Sequence, residues 1–237
     1  MFTAFGVRFF SGSYDDVLDA INSWLRTQKK HYICVTSLHG VVECQKDPTL
    51  LQIHNTSGIT VPDGMPLGWI GRIKGKKNTQ RIYGPDLMKH VCKLAEDKGY
   101  RIALYGTTKQ TLEKLQHSLI SIYPDLQIVE AIAPPFRTLT GTELKSVHTR
   151  LNKAKPHILF IGLSTPKQEY WMAENIDNLQ CNVLIGVGAA FDFLAGLKQQ
   201  APAWMQVAGL EWLFRLLHEP KRLMGRYVRI LYFIISE

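Results

Sequence analysis

Short apolar runs rich in β-branched residues recur along this chain, separated by stretches with helical periodicity. No other feature constrains the fold as much. FGVRFF, HYICVTS, GITV, RIALYG, LQIVEAI, HILFIGL and NVLIGVG read as strands. Ser13-x-x-Asp16 predicts a capping box for a helix through Val17, Leu18, Ile21, Trp24 and Leu25. A second helix through Leu87, Val91, Leu94 and Ala95 is expected to end at Gly99. Thr107 is the expected cap of a third, from Leu112 to Ile122, stopped by Pro124. Thr165-Pro166-x-Gln168 predicts a fourth start, with Thr165 as N-cap and Gln168 closing a capping box. Strands alternating with helices of roughly ten to fifteen residues specify an α/β fold with a mostly parallel sheet. Ligands of such folds bind at the carboxyl ends of the strands.

The chain divides into an α/β core over residues 1–196 and a C-terminal appendage over residues 197–237. The appendage is both apolar and basic. Arg215, Lys221, Arg222, Arg226 and Arg229 stand against one acid, Glu219, over residues 215–229. Pro220 should split the segment into two helices. Arg222, Arg226 and Arg229, spaced by four and then three, share one face of the second. Such a helix lies on an anionic membrane or cradles a diphosphate. An ordinary C-terminal helix with a solvated basic face fits the same residues. The apolar run is short of the ~20 residues that span a bilayer, so any membrane contact is at the surface.

The net charge of +8 points to an anionic partner: nucleic acid, phospholipid or a phosphorylated small molecule. Arg72, Lys74, Lys76, Lys77 and Arg81 form a second basic cluster; for Lys74, Lys76 and Lys77 a solvated loop is the simpler account. Four scattered cysteines without metal spacing suit reduced thiols in the cytoplasm. The short apolar N-terminus lacks the basic flank of a signal peptide.

Three segments could carry chemistry. Asp63, in Pro62-Asp63-Gly64 after GITV, is placed to enter a cleft as a general base; a plain Asp-Gly turn is the alternative. In IGLSTPKQE, helix-start amides offer an anion site, and Gln168 either meets a ligand or only completes the cap. Lys167 and Glu169 could equally face solvent. In IGVGAAFD, Gly186 and Gly188 allow close approach of a ligand. Asp192 needs a partner among its apolar neighbours, as a helix cap or as a sugar ligand. His39 and His157 read as core or turn residues. The chain has no P-loop, no Asp-x-Asp and no nucleophile elbow.

Taken in order, PDGMP, RIYGPDLM, YPDLQIVEAIAPPF, IGLSTPKQEYWM, IGVGAAFDFLAG and QAPAWMQVAGLEWLFRLLHEPKRLMGRY resemble the WecG/TagA/CpsF glycosyltransferase family. The resemblance runs from the first strand to Tyr227. It implies a Rossmann-like core and an inverting transfer from a UDP-sugar, without a metal or other cofactor. The implied acceptor is a polyprenyl-diphosphate-linked sugar, at the inner face of the bacterial plasma membrane, for surface polysaccharide or exopolysaccharide synthesis. It casts Asp63 as the base and Thr36 and Arg81 as active-site residues. Gln168 falls on the donor site, and Arg215, Arg222 and Arg226 meet diphosphates. Gly186, Gly188 and Asp192 line the nucleotide side. Two positions depart from the pattern: Leu38 replaces a frequent Asn, with His39 following, and YGTTKQ replaces a glycine-rich turn.

The competing expectation is an NAD(P)-dependent oxidoreductase using GVGAAF as a degenerate Rossmann loop. Phe191 in place of the third glycine argues against it. Nucleic-acid binding is disfavoured because the basic residues are interleaved with apolar bulk and no reader motif appears. Off the membrane, the exposed appendage is expected to favour homo-oligomers.

Overall fold

The computed structural model describes residues 1–236. The N-terminal residues form a hairpin of β1 (Phe2–Ala4) and β2 (Val7–Phe9). FGVRFF was expected to supply a strand; that strand pairs with its own neighbour instead of entering the main sheet. Phe5 and Gly6 turn the hairpin in the left-handed region, at φ 50° and 75°. Phe2, Ala4, Val7 and Phe9 are buried against Val41, Cys44, Leu50 and Leu67.

The chain continues through α1 (Tyr14–Arg26), β3 (His31–Thr36), α2 (Leu38–Lys46), α3 (Pro48–Thr56), β4 (Ile59–Pro62), α4 (Met65–Ile73) and α5 (Gly84–Lys98). Next come β5 (Ile102–Gly106), α6 (Lys109–Ile122), β6 (Ile128–Ile132), α7 (Gly141–Ala154), β7 (Ile158–Gly162), α8 (Lys167–Asn175) and β8 (Val183–Gly186). Short α9 (Ala190–Leu194) and α10 (Ala203–Val207) lead to α11 (Glu211–His218) and α12 (Pro220–Ser236).

Six strands form one sheet in the order β4-β3-β8-β7-β5-β6. Every neighbouring pair is parallel. The α/β, Rossmann-like reading therefore holds. Alternation along the strands builds two cores. Ile33, Leu104, Phe160 and Ile185 face α1, α5 and α6. Cys34, Tyr105, Ile161 and Leu184 face the side covered by Ile53, Leu151, Trp171 and Met172 of α3, α7 and α8.

Local signals held in part. The Ser13–Asp16 capping box forms, and Gly99 ends α5 in the left-handed conformation. At α6 the cap is Thr108, not Thr107; its Oγ accepts from the Thr111 amide at 3.1 Å, and Thr107 takes the positive φ instead. The capping box at Thr165 does not form. Pro166, after a cis peptide bond, is the N-cap, and the Thr165 hydroxyl donates to Glu169 at 2.9 Å. Pro220 begins α12, so the appendage divides into two helices as expected.

Candidate active site

Asp63 occupies the first position after β4. Its amide donates to the Thr36 carbonyl at 2.9 Å, which ties together the carboxyl ends of the two neighbouring strands. The Ile82 amide donates to the Pro62 carbonyl at 2.9 Å and draws the Arg81–Tyr83 segment alongside. The Gly84 amide at the start of α5, one of the helix's unpaired donors, helps to lower the Asp63 pKa. Burial nevertheless raises its pKa to about 6, against the pull of Arg81 and Arg215 and with support from Glu211.

α11 and α12 close over this strand edge. Between them and the core lies a cavity of about 510 Å³ lined by Asp63, Arg81, Arg215 and Arg226, with Ser37, Leu38 and His39 from the end of β3. Its outer wall is apolar, with Trp212, Met224, Val228, Leu231 and Ile234. Among the described residues no carboxylate pairs with Arg215 or Arg226. Burial, then the like charges of Arg222, Arg215 and Arg229, lowers the Arg226 pKa. Positive charge that is half-buried and uncompensated is an anion site waiting for a ligand. Arg81 is instead ion-paired to Glu211 and stacked over the Tyr83 ring at 4.4 Å.

The expected arginine face of α12 is split. Arg226 turns into the cavity, whereas Arg222 is exposed and pairs with Glu219. Glu219 also meets Lys198 at 3.3 Å, and Lys198 meets Asp192 at 3.1 Å. Asp192 thus gains the partner its apolar surroundings demand.

Gln168, Gly186 and Gly188 form a second group. A Cβ on Gly186 would lie 2.8 Å from Met172 Cε and 3.0 Å from Gln168 Nε2, and one on Gly188 would lie 3.5 Å from Gln168 Oε1. Gln168 is buried; its Nε2 donates to Glu169 at 3.0 Å, and its Oε1 has no partner. Glu169, for which a solvent-facing place was one alternative, is fully buried and has its pKa raised by burial. Helix α8 turns that position inward, where Thr165 and Gln168 satisfy one carboxylate oxygen. The two groups approach each other at Gly40, whose added Cβ would meet Thr36 Cγ2 at 2.8 Å and Thr165 Cγ2 at 3.8 Å. Thr36 is buried, with its hydroxyl unpartnered.

Glu211, Tyr83 and His39 were not singled out from the sequence as site residues. Glu211 did carry a signal: it precedes Arg215 by four positions on one helix face. His39 lines the cavity instead of the core. Burial, then Arg226, lowers its pKa to about 4. His157 is a turn residue, accepting from the Arg101 amide at 2.9 Å.

A parallel sheet with helices on both faces and a charged cleft at its carboxyl edge is the architecture of enzymes that handle nucleotides and phosphorylated compounds. Within that class the chain belongs to the Glycosyl transferase WecG/TagA/CpsF family, whose model matches residues 2–236. An N-acetylglucosaminyldiphosphoundecaprenol N-acetyl-beta-D-mannosaminyltransferase of Bacillus subtilis (strain 168) is 29% identical over 180 residues, covering 75% of this chain and 67% of that protein. Proteins of the same name from Staphylococcus aureus strains MW2 and NCTC 8325 / PS 47 are 28% identical over 173 residues, 73% of this chain and 66% of theirs. The chain spans about two thirds of the length of these relatives. Membership of a glycosyltransferase family sets aside the oxidoreductase alternative. Among the described residues no helix is long and apolar enough to cross a membrane.

Proposed function

We propose that this glycosyltransferase is inverting and metal-independent, and moves a sugar from a UDP-sugar to a polyprenyl-diphosphate-linked sugar in bacterial surface polysaccharide synthesis. One observation carries the reading: Asp63 and the unpaired Arg215 and Arg226 share a cavity whose outer wall is apolar. A carboxylate with a pKa of about 6 is a base matched to neutral pH. It takes the proton of the acceptor hydroxyl as that oxygen bonds to the donor's anomeric carbon. The bond from that carbon to the β-phosphate breaks, and its electron pair leaves with UDP. Arg215 and Arg226 neutralise diphosphate charge, as guanidinium forks do well.

Gln168, Gly186 and Gly188 form the donor side, where an unpartnered carboxamide oxygen awaits a hydrogen-bond donor. Asp192, held by Lys198, lines the nucleotide side in this reading. The relatives named above act, by their names, on an undecaprenyl-diphosphate-linked N-acetylglucosamine, which supports an acceptor of that type. Exposed Leu217, Val228, Leu231, Tyr232 and Ile235, with Lys221 and Arg229, suit a peripheral seat on the anionic cytoplasmic leaflet. The same surface off the membrane would drive self-association.

Calorimetry with UDP, first in EDTA and then with magnesium, tests the donor and the metal independence together. UDP affinity that ignores magnesium, followed by transfer from a UDP-sugar in EDTA, is the expected result. Binding or turnover that appears only with magnesium would overturn metal independence, and no UDP binding in either buffer would overturn the donor.

A further inference from the structure

Glu211 opens α11 on the appendage, and its carboxylate grips Arg81 of the core. The pair is mostly shielded, with Arg81 13% and Glu211 14% exposed. Shielding makes such a pair directional and costly to break from one side. Arg81 is further fixed by the Tyr83 ring, and its Nε is buried without a partner. Both ends of the pair line the cavity that holds Asp63. An unpaired Arg81 would give its whole charge to Asp63; paired, it gives only part.

We infer that Glu211 is a positioning residue of the active site: by holding Arg81 across the junction of core and appendage, it sets the charge that Asp63 experiences. Docking of the appendage then does more than bring arginines to the site; it tunes the acid beneath them. The inference rests on the reading of Asp63 as the acceptor base, although Glu211's effect on Asp63 is measurable without it. The other groups around Asp63 are Tyr14 on α1, Tyr83 before α5, Arg215 on α11, and His39 and Arg226 across the cavity. Glu211 and Arg215 act on Asp63 with opposite signs from the same helix, the first raising its pKa and the second lowering it.

That opposition supplies the test. The Asp63 carboxyl would be titrated by carbon-detected NMR in the full-length protein, in E211Q and in R215Q. Asp63→Asn would assign the signal. Glu211→Gln removes a negative neighbour and frees Arg81, so the Asp63 titration should move to lower pH. Arg215→Gln removes a positive neighbour, so it should move to higher pH. If the variants merely undocked the appendage, water would reach Asp63 in both and both titrations would fall. Parallel downward shifts, or no shift in E211Q, would overturn the proposal.

The pH profile of kcat/KM separates this idea from the base assignment. In E211Q the acid limb should follow the NMR titration downward, with a lower plateau from the weaker base. A titration that moves while the acid limb stays would keep Glu211's role and remove Asp63 as the base.

Discussion

The Asp63 amide is bonded to the Thr36 carbonyl across the ends of two parallel strands, and this bond fixes where the carboxylate stands. The acid is half-buried there, between the charges of Arg81, Glu211 and Arg215. Its pKa of about 6 lies above the ordinary 3.8.

A raised carboxylate pKa has a defined sign in stability. The folded state holds the proton more tightly than the unfolded chain, so wild type loses stability as pH rises from about 4 through about 6. Asp63→Asn removes that loss. The variant should gain roughly 2 kcal/mol over wild type at pH 8, and the gain should vanish below about pH 4. Chemical denaturation at both pH values checks it.

Arg226 is held among like charges without a carboxylate partner, so its charge serves a ligand and not the resting fold. Arg226→Gln should lower kcat/KM by about 10- to 100-fold, the worth of one charge-assisted contact. The melting temperature should stay the same or rise. Steady-state kinetics beside thermal melts would show whether activity falls without loss of the fold.

Gly186 leaves no room for a side chain between Met172 and Gln168. Gly186→Ala should displace the Gln168 carboxamide and cost roughly 1–3 kcal/mol from overpacking. Donor KM should rise more than kcat falls. A variant with unchanged donor KM would place Gln168 outside the donor site.

Removing residues 211–237 takes away Glu211, Arg215, Arg226 and the apolar wall of the cavity in one step. Most turnover should be lost, together with binding to anionic vesicles, which in the full chain should weaken as salt rises. Vesicle co-sedimentation across a salt series, with an activity assay, reads both effects.

The parallel sheet was legible because near-continuous apolar runs such as RIALYG and HILFIGL bury both faces, a pattern that needs helices on each side. The hairpin was not, because FGVRFF reads the same whether it joins the sheet or pairs with Phe2–Ala4. Helices α2, α3, α4 and α7 were missed: α2 and α3 follow one another with only Asp47 between them, and α4 carries Gly68 and Gly71 in its interior. Asp63 could be singled out by its place after a strand. Glu169 could not, since only the close packing of α8 on the sheet turns it inward. The Arg81–Glu211 pair spans 130 positions, and local pattern carries no sign of it.

Asp63 as the acceptor base is tested most directly by Asp63→Asn, assayed for transfer from a UDP-sugar to a lipid-diphosphate-linked sugar at pH 8, with UDP affinity measured on the same sample. Loss of transfer by about 100-fold or more, with UDP affinity kept, is the expected result. Transfer at the wild-type rate would contradict it.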